Sequence, residues 1–442
     1  MEERQVKHEP LVVAIDIGTT KVCAIAGRKN EYGKLEILGF GRVDSEGVLR
    51  GVVSNIEKTV RAITQAVEQV RQGIDEPFSE VFVGIAGQHI KSLQYRGMLT
   101  RSNVHTEISR ADIEKLISDM HKLVLPPGDK ILHVLPQEYT VDNEQGILDP
   151  VGMSGVRLEA NFHIITGQVS ASNNIRRCVE RAGLGVVGMT LEPIASARAV
   201  LTDEEKEAGV ALVDMGGGTT DITIFQDGII RHTAVIPFGG NVITKDIKEG
   251  CSVMKHQAER LKLRFGSALA DEVYDNRIIG VPGLKGRPKK EISEKNLARI
   301  IQARVEEIFD YVLEEIRRSG YQRKLVGGIV LTGGGSLLKH IEKLVTYHTG
   351  LSTRIGIPVE HLAHGYADYL NSPVYATSIG LLLTGLEDIE AGKVRLGVRE
   401  QVAEPVGEAV PAGEEDDEGS NWFDKLFRKT KEWFETEPDA EL

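Results

Sequence analysis

Two short stretches of this chain carry residues whose types and spacing suit the handling of a polyphosphate. In LVVAIDIGTTKVCAIAG an apolar run ends in Asp16, a turn follows with Gly18, Thr19, Thr20 and Lys21, and a second apolar run begins. GVALVDMGGGTTDITIF repeats that grammar, with Asp214, then Gly216, Gly217, Gly218 and Thr219, then another apolar run opened by Asp221. Apolar runs joined by Gly/Thr turns predict β-hairpins. Glycine lets backbone N–H groups approach oxygens that a side chain would hold away, and the threonine hydroxyls add donors. Asp16 and Asp214, at the strand ends, are placed to hold a hydrated Mg²⁺, an ion that keeps its waters and takes few carboxylates. Either hairpin alone is better explained by turn geometry. Two copies, with a later strand, a Gly333-Gly334-Gly335-Ser336 turn and a helix that brings backbone close to a nucleoside, favour phosphate binding.

A repeated unit predicts an internal duplication with two lobes facing a cleft, in an α/β chain. The expected division places residues 1–81 and 164–205 in a first lobe, with 82–163 an inserted subdomain of mixed strand and helix. Residues 206–245 and 320–392 form the core of the second lobe, and 246–319 a subdomain of it. Within that subdomain, apolar residues at helical spacing from Leu297 to Ile316 predict a helix over 293–319, with Ser293 as N-cap and Gly320 as its stop. From about Lys393 the periodicity fails, so 393–420 reads as a flexible acidic linker before an amphipathic end, 421–442.

Composition narrows the function classes. The 442 residues are 41% apolar and 27% charged, which is ordinary globular composition. A net charge of -12 argues against general nucleic-acid binding, which needs basic patches. Cys23, Cys178 and Cys251 stand far apart with no CxxC pair, so neither a zinc site nor a disulfide framework is expected. The polar start MEERQVKHEP and the short apolar run after it do not make a signal sequence, and no apolar run is long enough to span a bilayer. The expected compartment is the cytoplasm.

With the hairpins, the GGGS turn and the helix start ATSIG (376–380) in view, the chain resembles the ATPase superfamily of actin, heat-shock chaperones and sugar kinases. Within it, IDIGTTKVCAIAG, LEPIASARAVL, LVDMGGGTTDITIF, PFGGNVITKDI, QAERLKLRFG and IVLTGGGSLL, with the insertion and the amphipathic end, resemble the FtsA family of bacterial cell-division proteins over nearly the whole length. The resemblance implies an α/β, two-lobed actin-like ATPase fold with an inserted subdomain in the first lobe and a C-terminal amphipathic helix on a flexible linker. It implies ATP and Mg²⁺ as cofactors, filaments of the chain itself, and at most slow hydrolysis. It also implies a tether for the ring of the tubulin-like protein FtsZ, recruitment of later division proteins through the insertion, and a peripheral place on the inner face of the membrane at the division site. Residue by residue, Asp16 to Lys21 and Asp214 to Thr219 become the phosphate turns, and Glu192 the carboxylate that orients attacking water. Gly239 and Gly240 in PFGGN join the cofactor contacts, Glu259 and Lys262 resemble a ribose pair, and Lys290 and Arg304 fall where the family binds the acidic FtsZ tail. Read from the residues alone, Glu192 is equally a helix cap, Glu259 and Lys262 a solvated helical pair, and Lys290 and Arg304 surface charge. A sugar kinase remains the rival reading, since it shares the hairpins. It would need a second small-molecule pocket and has no use for the chain's end.

That end, NWFDKLFRKTKEWF, holds both tryptophans. At helical spacing Trp422, Phe423, Leu426, Phe427, Trp433 and Phe434 share an apolar arc of about 140°, with Lys425, Arg428, Lys429 and Lys431 outside it. About 14 residues cannot cross a bilayer, but such a helix can lie in the interface among anionic headgroups. Docking on its own globular part or on a partner is the alternative. One copy would bind reversibly, so attachment is expected to strengthen when subunits assemble side by side.

Overall fold

The computed structural model describes residues 9–101, 106–283, 285, 287–365 and 368–396. The expected amphipathic helix of 421–442 and nearly all of the linker lie outside these residues.

Two five-stranded sheets carry the same topology. In the first, Leu35–Asp44, Lys21–Lys29 and Val12–Ile17 form an antiparallel meander, and Glu80–Ile85 and Gly185–Leu191 extend it in parallel. In the second, Ile229–Ile236, Thr220–Gln226 and Val210–Met215 form the meander, and Ile329–Thr332 and Thr353–Ile355 extend it in parallel. The duplication expected from two turns is thus a duplication of whole sheets. The central strands Val12–Ile17 and Val210–Met215 are buried throughout, as strands covered on both faces must be.

Each sheet is followed by a helix, Glu192–Val200 after the first and Ala376–Glu390 after the second, and the two cross. They approach so closely that a Cβ at Gly380 would overlap the Ala195 carbonyl. Ala195, Ala197, Ile379, Leu382 and Leu386 share one core there with Leu212 and Val330 of the second sheet and Phe82 of the first.

The inserted body is an antiparallel sheet in the order Lys91–Thr100, Arg157–Gln168, Asp129–Val141, Glu144–Ile147, with Leu116 and Met120 of helix Arg110–Met120 in its core. The expected boundary at residue 82 falls inside Glu80–Ile85, a strand of the first lobe's sheet, so the inserted sheet begins at Lys91 and runs through Gln168. The apolar run VFVGI does not by itself say which sheet it joins. Helix Glu294–Ser319 has Ser293 at its N-cap, accepting from Asn296 N, and Gly320 in the left-handed conformation at its end. Its apolar face shares one continuous core with the second sheet, through Leu297, Ile301, Val305 and Phe309. The glycine turn at 333–336 itself winds into a short 3₁₀ turn, Gly334–Leu337, and the helix starts only at Ile341.

Candidate functional site

Both hairpin turns close in the same way. Gly18 N donates to Lys21 O at 2.9 Å, and Gly216 N to Thr219 O at 2.9 Å. The turns face each other directly. A Cβ on Gly217 would overlap the Thr20 methyl group, and one on Gly218 would lie 2.6 Å from Thr19 Oγ1. Glycine is therefore required here by close approach between the lobes. Thr19 Oγ1 in turn accepts from Gly51 N at 3.1 Å.

The two aspartates sit buried behind these turns. Asp16 is ion-paired with Lys21 and accepts from Ser378 Oγ at 3.1 Å. Asp214 accepts from Ser196 Oγ at 2.7 Å and from Thr377 Oγ1 at 3.3 Å. Burial would lower the Lys21 ammonium, but Asp16 together with Cys23 and Glu192 outweighs it and raises the group overall. Burial pushes Asp214 up. Glu192 opens its helix beside Gly84, where a Cβ would lie 2.9 Å from Glu192 Oε1. Burial first, and then the charges of Asp16, Asp221 and Asp214, hold its carboxyl well above the usual range. A helix cap alone does not account for Glu192 among three aspartates.

Sequence reasoning left four contributors unassigned: Ser196, Thr377, Ser378 and Asp221. Asp221 lies directly across the hairpin from Asp214, is pushed up to about 8 by burial and by Asp214, and has an Oδ1 without a hydrogen-bond partner. The hydroxyl-bearing small residues of LEPIASA and ATSIG were the available signal, since buried hydroxyls in helix interiors need partners.

The remaining candidates group around the second turn. Gly240 N donates to Gly216 O at 2.9 Å and Asn241 N to Gly217 O at 2.8 Å, so Gly239, Gly240 and helix Gly240–Gly250 brace this turn from behind. Lys262 Nζ donates to Gly240 O at 3.0 Å, Thr244 Oγ1 at 2.8 Å and Glu259 Oε2 at 2.9 Å. Burial pulls the Lys262 ammonium down. These contacts make Glu259 and Lys262 a positioned pair rather than a solvated one. Gly333, at φ +79°, stands against Asp214, where a Cβ would overlap the carboxylate. Gly335 stands against Met215, Ser336 Oγ donates to Gly333 O at 2.7 Å, and Gly334 faces open space.

Lys290 and Arg304 lie apart from this cluster. Lys290 Nζ donates to Ser252 O at 3.2 Å, and Arg304 is paired with Asp246, Nη2 to Oδ1 at 3.1 Å, and with Glu307. Both border the segment from Asp246 to Ser252. Trp422, Phe423, Lys425, Leu426, Phe427, Arg428, Lys429, Trp433 and Phe434 lie outside the described residues. Among the described residues no cluster of three or more His, Cys, Asp or Glu is arranged to hold a metal, and no helix is long and apolar enough to cross a membrane.

Solved structures share the architecture. A chain of the PilM-PilN type IV pilus biogenesis complex matches with a TM-score of 0.62 at 15% identity, over 86% of this chain and 99% of that one. MreB5 of Spiroplasma citri bound to ADP matches at 0.52 and 17% identity, over 86% and 98%. The fold is thus actin-like. A family model described as "SHS2 domain inserted in FTSA" matches residues 87–166, and one described as "Cell division protein FtsA" matches 211–380. The cell division protein FtsA of Pseudomonas aeruginosa is 42% identical over 86% of this chain and 91% of its own length. That of Escherichia coli K12 is 36% identical over 90% and 95%, and that of Bacillus subtilis 35% over 85% and 83%. With this identity along nearly its whole length, the chain belongs to the FtsA family of actin-like cell-division proteins.

Proposed function

We propose that this cell-division protein binds Mg-ATP between its two hairpin turns, assembles into filaments, and tethers the FtsZ ring to the inner face of the cell membrane through residues 421–434. One observation supports the nucleotide reading above all: two duplicated glycine turns approach one another in front of three buried aspartates and Glu192. Residues present fit the group. Glycine keeps both turns free of side chains where they meet, since a Cβ on Gly217 or Gly218 would strike Thr20 or Thr19 of the facing turn, and Asp221 Oδ1 is buried without a partner. Gly18 to Lys21 and Gly216 to Thr219 would hold the phosphates, Asp16 and Asp214 the waters of Mg²⁺, Glu259 and Lys262 the ribose, and Gly333 to Ser336 the adenosine. When bound, Mg²⁺ offsets phosphate charge. Glu192 would accept a hydrogen bond from water and orient it. MreB5, a chain of the same fold, has been crystallised with ADP and with AMPPNP.

The FtsZ tail reading rests on Lys290 and Arg304. Since Arg304 is already paired with Asp246 and Glu307, an acidic peptide must compete with these carboxylates, and its binding should weaken with salt. Membrane attachment rests on the aromatic and basic pattern of 421–434, and later division proteins on the inserted subdomain.

The deciding experiment is co-sedimentation with anionic liposomes in Mg-ATP, comparing the full chain with one ending at Gly419 across a concentration series. Pelleting that needs the end of the chain and rises steeply with concentration supports a filament-forming anchor. Equal pelleting of both chains, or of neither, overturns it.

A further inference from the structure

The inserted sheet is covalently part of the first lobe, yet it also grips the second. Strand Ile229–Ile236 is the edge of the second lobe's sheet, and such an edge carries unpaired carbonyls. Gln137 Nε2 of the insertion donates to Ile230 O at 2.8 Å, and Gln94 Nε2 to Arg231 O at 3.5 Å. Between them Arg231, its side chain 6% exposed, joins Glu138 of the insertion at 3.2 Å to Asp227 of its own lobe at 3.0 Å. Gln137 is itself buried. Two buried side chains, Gln137 and Arg231, therefore each take a partner from the opposite lobe. Such groups resist separation because water must re-enter to replace every bond.

The lobes also meet at the crossing of Ala195 and Gly380. A rotation about that crossing would move Ile229–Ile236 against the inserted sheet and pull Arg231 from Glu138. Hinge closure around a ligand requires such rotation for the ligand to leave.

We propose that the inserted subdomain is an inter-lobe bridge, built on Gln137, Glu138 and Arg231, that restrains the second lobe and limits the rate at which nucleotide leaves the cleft. This rests on the reading of the cleft as a nucleotide site. Because coupling is reciprocal, a partner that docks on the insertion and shifts this seam would alter nucleotide residence, and nucleotide would alter its docking.

The test uses the full chain and its Gln137→Ala/Glu138→Ala variant, with two readouts. One is release of N-methylanthraniloyl-ATP, bound with Mg²⁺ and chased with excess ATP. The other needs no nucleotide: the separation of spin labels on Gln65→Cys and Tyr347→Cys, exposed positions on opposite lobes. The native cysteines are buried and should not label. The expected result is release about fivefold faster or more, with a longer and broader label separation. Glu138→Gln, which keeps the shape and removes the charge, should give a smaller shift in the same direction. It decides the matter if the double variant fails to fold, since Glu138 is 42% exposed. Unchanged release together with unchanged separation overturns the bridge. If the parent chain does not bind the analogue, the nucleotide reading fails, and with it the control of release. The label separation then shows separately whether the seam restrains the lobes.

Discussion

Ser196 donates a 2.7 Å hydrogen bond to Asp214, although the serine belongs to the helix that closes the first lobe and the aspartate to the hairpin of the second. The exchange is reciprocal. Ser378, on the helix that closes the second lobe, donates to Asp16 of the first at 3.1 Å. Each of these carboxylates thus takes one donor from the other lobe's helix, which ties their positions to the way the lobes are stacked.

Ser196→Ala should therefore destabilise the fold by about 1–3 kcal/mol, because Asp214 keeps its burial and loses its shortest donor. Ser378→Ala should cost less, since Lys21 still pairs with Asp16. Urea unfolding with an unchanged m-value would check both. A larger loss in Ser378→Ala would show that Lys21 does not compensate.

Neighbouring glycines in the GGGS turn should respond differently. Gly333→Ala forces a left-handed residue against Asp214, while Gly334→Ala meets open space. The first should cost about 1–3 kcal/mol and the second stay within about 0.5 kcal/mol. Thermal unfolding of the two single variants would show it.

The pairing of Lys262 predicts where nucleotide affinity is lost. Lys262→Met removes three hydrogen bonds around Gly240, Thr244 and Glu259. Calorimetric titration should show ATP binding weakened by about tenfold, or 1.4 kcal/mol, with tripolyphosphate binding unchanged. Equal losses for both ligands would place Lys262 on the phosphates rather than on the ribose.

The proposed nucleotide site requires the second hairpin. Asp214→Ala should abolish measurable Mg-ATP binding while far-UV dichroism stays that of a folded chain. Unchanged affinity would remove the second hairpin from the site.

His163 should contribute a loss of stability on mild acidification. Burial pushes His163 down to about 4 from 6.5, and its ring faces Gln94 Nε2 at 3.1 Å and Ser92 Oγ at 3.3 Å. Between these values the unfolded chain binds the proton and the folded chain does not. The stability present above pH 6.5 is then lost progressively toward pH 4, by about 3 kcal/mol for this group. His163→Gln should flatten the fall in unfolding free energy across that window.

Local features were legible in the residues themselves. Apolar alternation and Gly/Thr chemistry marked both hairpins, and Ser293 and Gly320 marked the ends of the long helix, because strands, turns and caps depend on neighbours a few positions apart. The same short signals marked Asp16, Asp214 and the glycine turns as a candidate site. They did not show that VFVGI joins the first lobe's sheet, that Arg304 is occupied by Asp246, or that the insertion reaches Arg231. Nor did they pair Ser378 with Asp16 across 362 positions. Those relationships depend on the order of strands within each sheet and on two helices crossing at glycine distance. Sequence therefore determined which segments could hold phosphate, while the stacking of the lobes decided which buried groups satisfy each carboxylate, since a buried charge takes its partner from whatever the fold brings within reach.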